Sequence, residues 1–217
     1  MMKKTTLTIA AAFLCLSLNA QLFQINPYAG WSTASALQLY TGKARTTANL
    51  NYGVNLSFGQ GASAGGFTRN AFLELQYNYL KTDLEYRDYI TNQDYALSDI
   101  AMHNIMLGGT KESGNGKVMG YGGYYLGMTI FDPSNFKQDV VKPESHTRFT
   151  MAIAAGLKYA MSDRVGLRFH AQMYMPIWGS DFYAGWSLGG GPTAGVVATA
   201  VNVYANFNGG LYFNLGQ

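Results

Sequence analysis

The residues of this sequence that could perform catalysis are few. Ser145 and His146 are the one neighbouring Ser/His pair that could supply a nucleophile and its base. At the edge of a membrane, such a pair would indicate a lipid-modifying hydrolase. Adjacent residues in a loop seldom turn their side chains toward each other, and no known catalytic motif surrounds these two. We therefore assign no catalytic residue and keep the lipid hydrolase as an alternative function.

Metal, cofactor and nucleic-acid sites are not indicated. The three histidines, which lack the spacing of metal ligands, are His103, His146 and His170. Asp88, Asp94 and Asp99 do not match a calcium loop, and Gly114-Asn115-Gly116 is typical of a hairpin turn rather than of a dinucleotide site. The 15 basic and 12 acidic residues nearly balance, so the charge predicts no nucleic-acid partner.

Five polar residues on predicted strands fall on the face opposite the apolar one. They are Glu74, Lys158, Arg168, His170 and Gln172. We interpret them as a hydrogen-bonded plug inside a closed sheet, where an ionised side chain is tolerable only when it is paired. The alternative is a narrow ion or proton channel, in which His170 beside Arg168 would be the titrating group.

A segment rich in glycine and aromatic residues could form a binding surface, because exposed aromatic side chains on loops make good contacts. Its candidate residues are Trp178, Asp181, Phe182, Tyr183 and Trp186. The alternative interpretation is that Trp178 and Trp186 anchor the protein at the level of the lipid headgroups.

The elements that would position these residues are β-strands, because apolar residues recur at every second position. In the segment 165–175, Val165, Leu167 and Phe169 alternate with Gly166, Arg168 and other residues of the opposite face. Comparable runs, two of them weaker, occupy 25–31, 50–58, 71–79, 100–109, 123–130, 149–159, 165–175 and 199–215. The sequence thus predicts eight strands. In the 100–109 run, His103 falls on the otherwise apolar face.

The connections between these runs alternate in length. Short turns are predicted at 60–67, 112–117 and 162–164, and longer loops at 35–48, 87–98, 132–146 and 179–196. Short turns at one end and long loops at the other are typical of a transmembrane barrel. The polar face holds mainly Gly, Asn, Gln, Ser and Tyr, whereas the exterior of a soluble barrel would carry many charges. We predict an all-β, eight-stranded, antiparallel up-and-down transmembrane β-barrel.

The N-terminus predicts export. Lys3 and Lys4 precede an apolar run over 7–18, which ends in Asn19-Ala20, and this is the form of a secretory signal peptide. Cleavage near Ala20 would divide the chain into a signal peptide (1–20) and one barrel domain (21–217) without cysteine, since Cys15 lies in the leader. No later run of 18 apolar residues predicts a membrane-spanning helix.

With these features, the chain resembles the small eight-stranded outer-membrane barrels of the OmpA/OmpX type, in the single-domain form found in Bacteroidetes-like bacteria. The resemblance covers nearly the whole mature chain. It depends on Leu18-Asn19-Ala20-Gln21, on the hairpin from Lys158 to Arg168 and on the closing strand. It implies a location in the bacterial outer membrane and insertion by the barrel-assembly machinery.

These observations together predict a non-enzymatic integral outer-membrane protein, with an envelope-structural role or a role in binding and adhesion through its long loops. The expected partners are outer-membrane lipid, the assembly machinery and an extracellular ligand. We expect a monomer without cofactor or metal. The lipid hydrolase and the narrow channel remain the alternatives.

Overall fold

The computed structural model describes residues 22–38, 42–59, 70–114, 116–137, 144–187 and 191–215. For residues 22, 37–38, 178–187 and 191–201, only the backbone is described and not the side chains. The predicted signal peptide lies outside the described residues and stays a prediction. The strands are β1 (Leu22–Ser32), β2 (Ser35–Gln38), β3 (Gly42–Thr46), β4 (Asn49–Gly59), β5 (Ala71–Asp88), β6 (Asp94–Ser113), β7 (Val118–Ser134), β8 (His146–Ala160), β9 (Val165–Ser187), β10 (Gly191–Val201) and β11 (Tyr204–Asn214).

Eight of these strands form a closed antiparallel ring. Its order is β1, β4, β5, β6, β7, β8, β9 and β11, and β11 pairs again with β1. Closure leaves no unpaired strand edge along the wall, and this is the condition for a sheet to cross hydrocarbon. The predicted eight-stranded antiparallel barrel is confirmed.

The other three segments, β2, β3 and β10, continue barrel strands beyond short interruptions. The breaks fall at 33–34, 47–48 and 202–203. A backbone hydrogen bond bridges each of them: the Thr33 amide donates to the Ala205 carbonyl at 2.8 Å, the Thr47 amide to the Asp83 carbonyl at 3.2 Å, and the Asn202 amide to the Pro176 carbonyl at 3.2 Å. Beyond the breaks, β3 pairs with the outer part of β5, and β10 pairs with β9.

Three of the predicted long loops are largely strand, and in this respect the prediction was wrong. The segment 35–48 contains β2 and β3, β5 and β6 extend into 87–98, and β9 and β10 occupy most of 179–196. Outside the membrane both faces of a strand meet water, so the apolar alternation that reveals a strand disappears there. The backbone still satisfies its N–H and C=O groups by pairing. Residues 138–143 of the fourth predicted loop lie outside the described residues.

Two of the predicted short turns are confirmed. β6 and β7 are joined at 114–117, where Gly114 and Gly116 have φ angles of 135° and 91°, a region that favours glycine. β8 and β9 are joined at 161–164, where the Ser162 Oγ accepts from the Val165 amide at 3.1 Å. Most of the third turn, 60–67, lies outside the described residues.

The two faces of the barrel have the polarity of a membrane protein. On β8, Ile153 and Leu157 point outward and are about half exposed, whereas Thr150 and Lys158 point inward and are buried. The lumen therefore contains the polar groups, and the exterior is a belt of apolar side chains. Among the described residues, no helix is long and apolar enough to span a membrane.

The closed ring leads to a first testable prediction. In a detergent gel, the unheated protein is expected to run faster than the boiled protein, because a closed barrel stays compact in detergent until heat separates its strands. The measurement is a comparison of unheated and boiled outer-membrane fractions. Identical migration of the two samples would contradict a stable closed barrel.

Candidate functional site

The centre of the lumen is crossed by an ion pair. The two Arg168 terminal nitrogens donate to the two carboxylate oxygens of Glu74, each at 3.0 Å. Glu74 belongs to β5 and Arg168 to β9, and these strands are separated by three others in either direction around the ring. The bidentate pair therefore joins opposite walls of the barrel, a geometry in which charge-assisted hydrogen bonds are strong.

Both members of this pair also form hydrogen bonds with neighbouring side chains. The Glu74 carboxylate accepts hydrogen bonds from the hydroxyls of Tyr125 at 2.6 Å, Ser57 at 3.0 Å and Thr110 at 3.1 Å. The Arg168 Nε donates to the Tyr121 hydroxyl at 2.7 Å, and the guanidinium carbon lies 4.3 Å from the centre of the same ring. Both charged groups are almost fully buried, so this coordination offsets their loss of water.

Two further layers of contacts lie along the lumen. Lys158 forms an ion pair with Glu112, donates to the Gln24 amide oxygen at 2.7 Å and lies 5.0 Å from the centre of the Phe72 ring. On the other side of the central pair, Gln76 and Gln172 exchange two amide hydrogen bonds of 2.7 Å across the lumen. Side chains thus cross the interior at successive depths, and the small diameter of an eight-stranded barrel favours this filling.

His170 lies next to these layers and is buried. Its Nε2 is 3.0 Å from the Asn208 amide nitrogen, and its ring meets the edge of Tyr28 at a centroid distance of 4.9 Å. Its Nδ1 has no hydrogen-bond partner in the described part of the protein. The structure therefore brings all five predicted lumen residues into the interior.

The lumen also contains an apolar cluster that the sequence analysis missed. Its members lie between the polar layers and one barrel rim, and they include Leu80, Ile100, Met102, Met106, Phe131, Tyr174 and Tyr204. A signal was present in the sequence, because β6 has apolar residues on both faces: Met102 and Met106 point inward while Ile105 and Leu107 point outward.

A groove of about 260 Å³ lies on the outside of the barrel, where the apolar belt ends. It is lined by Asn49, Leu50, Tyr52, Tyr79, Lys81, Thr82, Asp83 and Asp99. Lys81 is 3.3 Å from Asp99, and Lys137 is 3.4 Å from Asp83. A hydrogen bond from Asn135 and the nearby Lys81 hold the pKa of the Asp99 carboxyl below its usual value. These exposed ion pairs are weakened by water and salt.

The other predicted candidates are more dispersed. Ser145 directly precedes β8, and His146 is the first residue of β8, opposite Phe131; both are exposed. His103 points outward, as expected, and its Nδ1 lies 2.9 Å from the Tyr77 hydroxyl. No group of three or more His, Cys, Asp or Glu in the described ranges could hold a metal ion.

The aromatic candidates lie in β9 beyond the barrel wall. The backbone of Trp178 is opposite Ala200, and that of Trp186 is opposite Pro192. Phe182 is opposite Val196, and Asp181 and Tyr183 flank it in the same ladder. The predicted binding segment is therefore a two-stranded ribbon rather than an irregular loop, and a binding role for these residues remains a proposal.

Comparison with solved structures identifies the fold. The crystal structure of Neisserial surface protein A aligns over 89% of this chain and 97% of its own, with a TM-score of 0.52 and 11% sequence identity. This chain has the fold of an outer-membrane β-barrel. The apolar belt around the barrel requires a bilayer, so this outer-membrane barrel is an integral protein of the bacterial outer membrane.

Other structures align with the outer-membrane barrel at lower scores. The N-terminal barrel domain of OprF from Pseudomonas aeruginosa is 14% identical, with a TM-score of 0.41 and coverage of 87% of this chain and 98% of its own. The attachment invasion locus protein Ail of Yersinia pestis is 12% identical, with a TM-score of 0.41 and coverage of 88% of this chain and 99% of its own. No protein-family model and no curated protein sequence matches the chain.

Proposed function

We propose that this outer-membrane barrel is a non-enzymatic binding protein, in which a plugged barrel supports strand ribbons that contact an extracellular partner. The observation that carries the proposal is the ribbon of β9 and β10. β9 pairs with β8 as far as Pro176 and with β11 as far as Tyr174. From Ile177 to Ser187 its partner is β10. At about 3.3 Å per residue, this ribbon extends the wall by roughly 30 Å.

The ribbon offers two strand edges to a partner. Among the described strands, β10 pairs with β9 alone, and no third strand joins the ribbon. Unpaired N–H and C=O groups along an edge can accept an extended segment of another protein as an added strand. The sequence of β10, GPTAGVVATAV, has no charged residue that would oppose such pairing. The fitting partner is an extended polypeptide segment on a protein outside the cell.

The plugged lumen is consistent with a supporting role. The Glu74–Arg168 pair, the Gln76–Gln172 pair and the Lys158–Glu112 pair join strands that are distant in the chain. Such cross-links hold the barrel shape and leave little room for diffusing solutes. The same arrangement serves the envelope-structural role, which requires a stable barrel but no ligand.

Removal of the ribbon tests the binding proposal. A variant in which Asn-Gly replaces 179–199 and joins Trp178 to its register partner Ala200 keeps the barrel ring intact. We expect cells carrying this variant to lose at least about tenfold in adhesion to surfaces coated with extracellular matrix proteins, since tenfold corresponds to only about 1.4 kcal/mol of binding free energy. The measurement is the number of adherent cells at equal surface expression.

A matched control shortens another hairpin on the same side of the barrel. Replacement of 87–94 by Asn-Gly joins Tyr86 to Tyr95, which are also register partners. This control is expected to adhere like the wild type, and both variants should keep the heat-dependent gel shift. The binding proposal is contradicted if the ribbon variant adheres as well as the wild type, or if the wild type does not adhere at all.

A further inference from the structure

We propose that the groove on the outside of the barrel binds one lipid with a phosphoethanolamine headgroup. The groove, of about 260 Å³, lies at the end of the barrel that bears the hairpin of β5 and β6. Leu50 and Tyr52 line it, are more than half exposed and continue the apolar belt. Lys81, Asp83 and Asp99 form its charged lining. An occupant that fits both linings is apolar at one end and charged at the other, as a lipid is.

Three successive outward positions of β5 carry different chemistry. Tyr79 is aromatic, Lys81 is a cation and Asp83 is an anion. They follow one another toward the hairpin at about 6.6 Å per step, since a strand rises about 3.3 Å per residue. A phosphoethanolamine lipid presents its groups in the same order, with acyl chains first, then the phosphate and then the ammonium. With its chains against the apolar belt, its phosphate lies at Lys81 and its ammonium at Asp83.

The charged side chains of the groove can make these contacts without breaking those they already have. Asp99 accepts from Asn135 at 2.8 Å and lies 3.3 Å from the Lys81 Nζ. An ammonium has three N–H donors, so the contact with Asp99 leaves two of them at Lys81 for a phosphate. The side chain of Asp83 is half exposed, and one of its oxygens lies 3.4 Å from the Lys137 Nζ. Its other oxygen can accept from the lipid ammonium.

The balance of charge argues against two other occupants. A purely anionic headgroup would meet two carboxylates as well as two lysines, and it would bring no donor to Asp83. A metal ion between Asp83 and Asp99 would have to displace Lys137, whose Nζ lies 3.4 Å from one carboxylate and 3.7 Å from the other. A headgroup with both charges fits the groove with every ion pair in place.

A polar pair within the apolar belt sets the depth of the lipid. His103 is opposite Tyr79 in the strand register, one outward step below Lys81. Its Nδ1 lies 2.9 Å from the Tyr77 hydroxyl, and hydrocarbon supplies no partner for its Nε2. When the Tyr77 hydroxyl donates to Nδ1, the neutral ring carries its proton on Nε2. The acyl ester carbonyls, which lie just below the phosphate of such a lipid, are the acceptors for this proton.

Retention of added lipid by the purified, delipidated barrel, measured by native mass spectrometry, tests the proposal. The probes are phosphatidylethanolamine and phosphatidylglycerol with the same acyl chains. We expect the wild type to hold phosphatidylethanolamine about fivefold more tightly, which is the effect of one exposed charge pair. Free phosphoethanolamine, which lacks acyl chains, is expected not to compete at the same concentration. Equal retention of the two lipids, or competition by the free headgroup, would overturn the proposal.

A variant and its matched control assign the ammonium contact. Asp83→Asn is expected to abolish the preference for phosphatidylethanolamine without lowering the retention of phosphatidylglycerol, because only the acceptor of the ammonium is removed. Glu85→Gln makes the same change of charge one outward step farther along β5, where Glu85 pairs with Arg45 outside the groove. This control is expected to keep the preference. A preference that survives Asp83→Asn, or that is lost equally in Glu85→Gln, would reject the site.

His103→Phe tests the depth of the lipid. It is expected to lower the retention of both lipids by about threefold, the effect of one hydrogen bond. The preference for phosphatidylethanolamine should remain, because both lipids have the same ester carbonyls. Unchanged retention in this variant would overturn the placement of the lipid along β5. The heat-dependent gel shift confirms a closed barrel in every variant.

Discussion

Replacement of Arg168 by methionine is expected to lower the free energy of unfolding by about 3 to 5 kcal/mol, the usual cost of removing one partner of a buried ion pair. The Glu74 carboxylate would keep its bonds to Tyr125, Ser57 and Thr110. It would lose both bonds from the guanidinium and would be left as a buried acidic group without its counter-charge. The measurement is urea unfolding of the barrel in phospholipid vesicles.

The double variant Glu74→Gln with Arg168→Met separates loss of the pair from loss of packing. Glutamine keeps the shape of Glu74 without its charge, so we expect the double variant to regain at least half of the stability that the single variant loses. If Arg168→Met lowers the free energy by less than about 1 kcal/mol, the pair does not join the two walls in the way that the 3.0 Å contacts indicate.

Replacement of Ile153 by arginine is expected to cost about 2 to 4 kcal/mol, because it places a charge near the middle of the hydrocarbon layer. Ile153 is half exposed on the outer face of β8, midway between the outward Phe149 and Leu157. In water the same substitution on an exposed strand position would change the stability by less than about 0.5 kcal/mol. The measurement is again unfolding in vesicles.

Tyr159 supplies the matched control for this prediction. It points outward from the same strand, one residue before β8 ends at Ala160. Near the membrane interface, Tyr159→Arg is expected to cost only about 0 to 1 kcal/mol. Equal costs at Ile153 and Tyr159 would contradict a bilayer centred on the apolar belt, and a negligible cost at both would indicate that this face meets water.

The strands of the barrel wall could be predicted because each face of the sheet meets a different environment. On β8 and on the first half of β9, every second residue contacts lipid and the others contact the lumen, so polarity alternates along the sequence. The same rule placed Glu74, Lys158, Arg168, His170 and Gln172 inside. It also placed His103 correctly on the outer face.

The rule failed where the two faces meet the same environment. Beyond the membrane, the outer part of β5 is partly exposed on both faces and its alternation is lost. The segments β2, β3 and β10 show no regular alternation of apolar residues in their sequences either. In the lumen, Met102 and Met106 pack against other apolar side chains, so β6 is apolar on both faces. Neither feature follows from the period of the sequence alone.

The sequence by itself determined the membrane class of this protein, the number of wall strands and the face on which each wall residue lies, because these depend on local polarity. Only the tertiary structure decided which residues meet across the lumen. Glu74 and Arg168 are 94 positions apart, and they become partners because closure places β5 opposite β9. The ribbon of β9 and β10 likewise depends on which strands become neighbours, and this information is distributed over the whole chain.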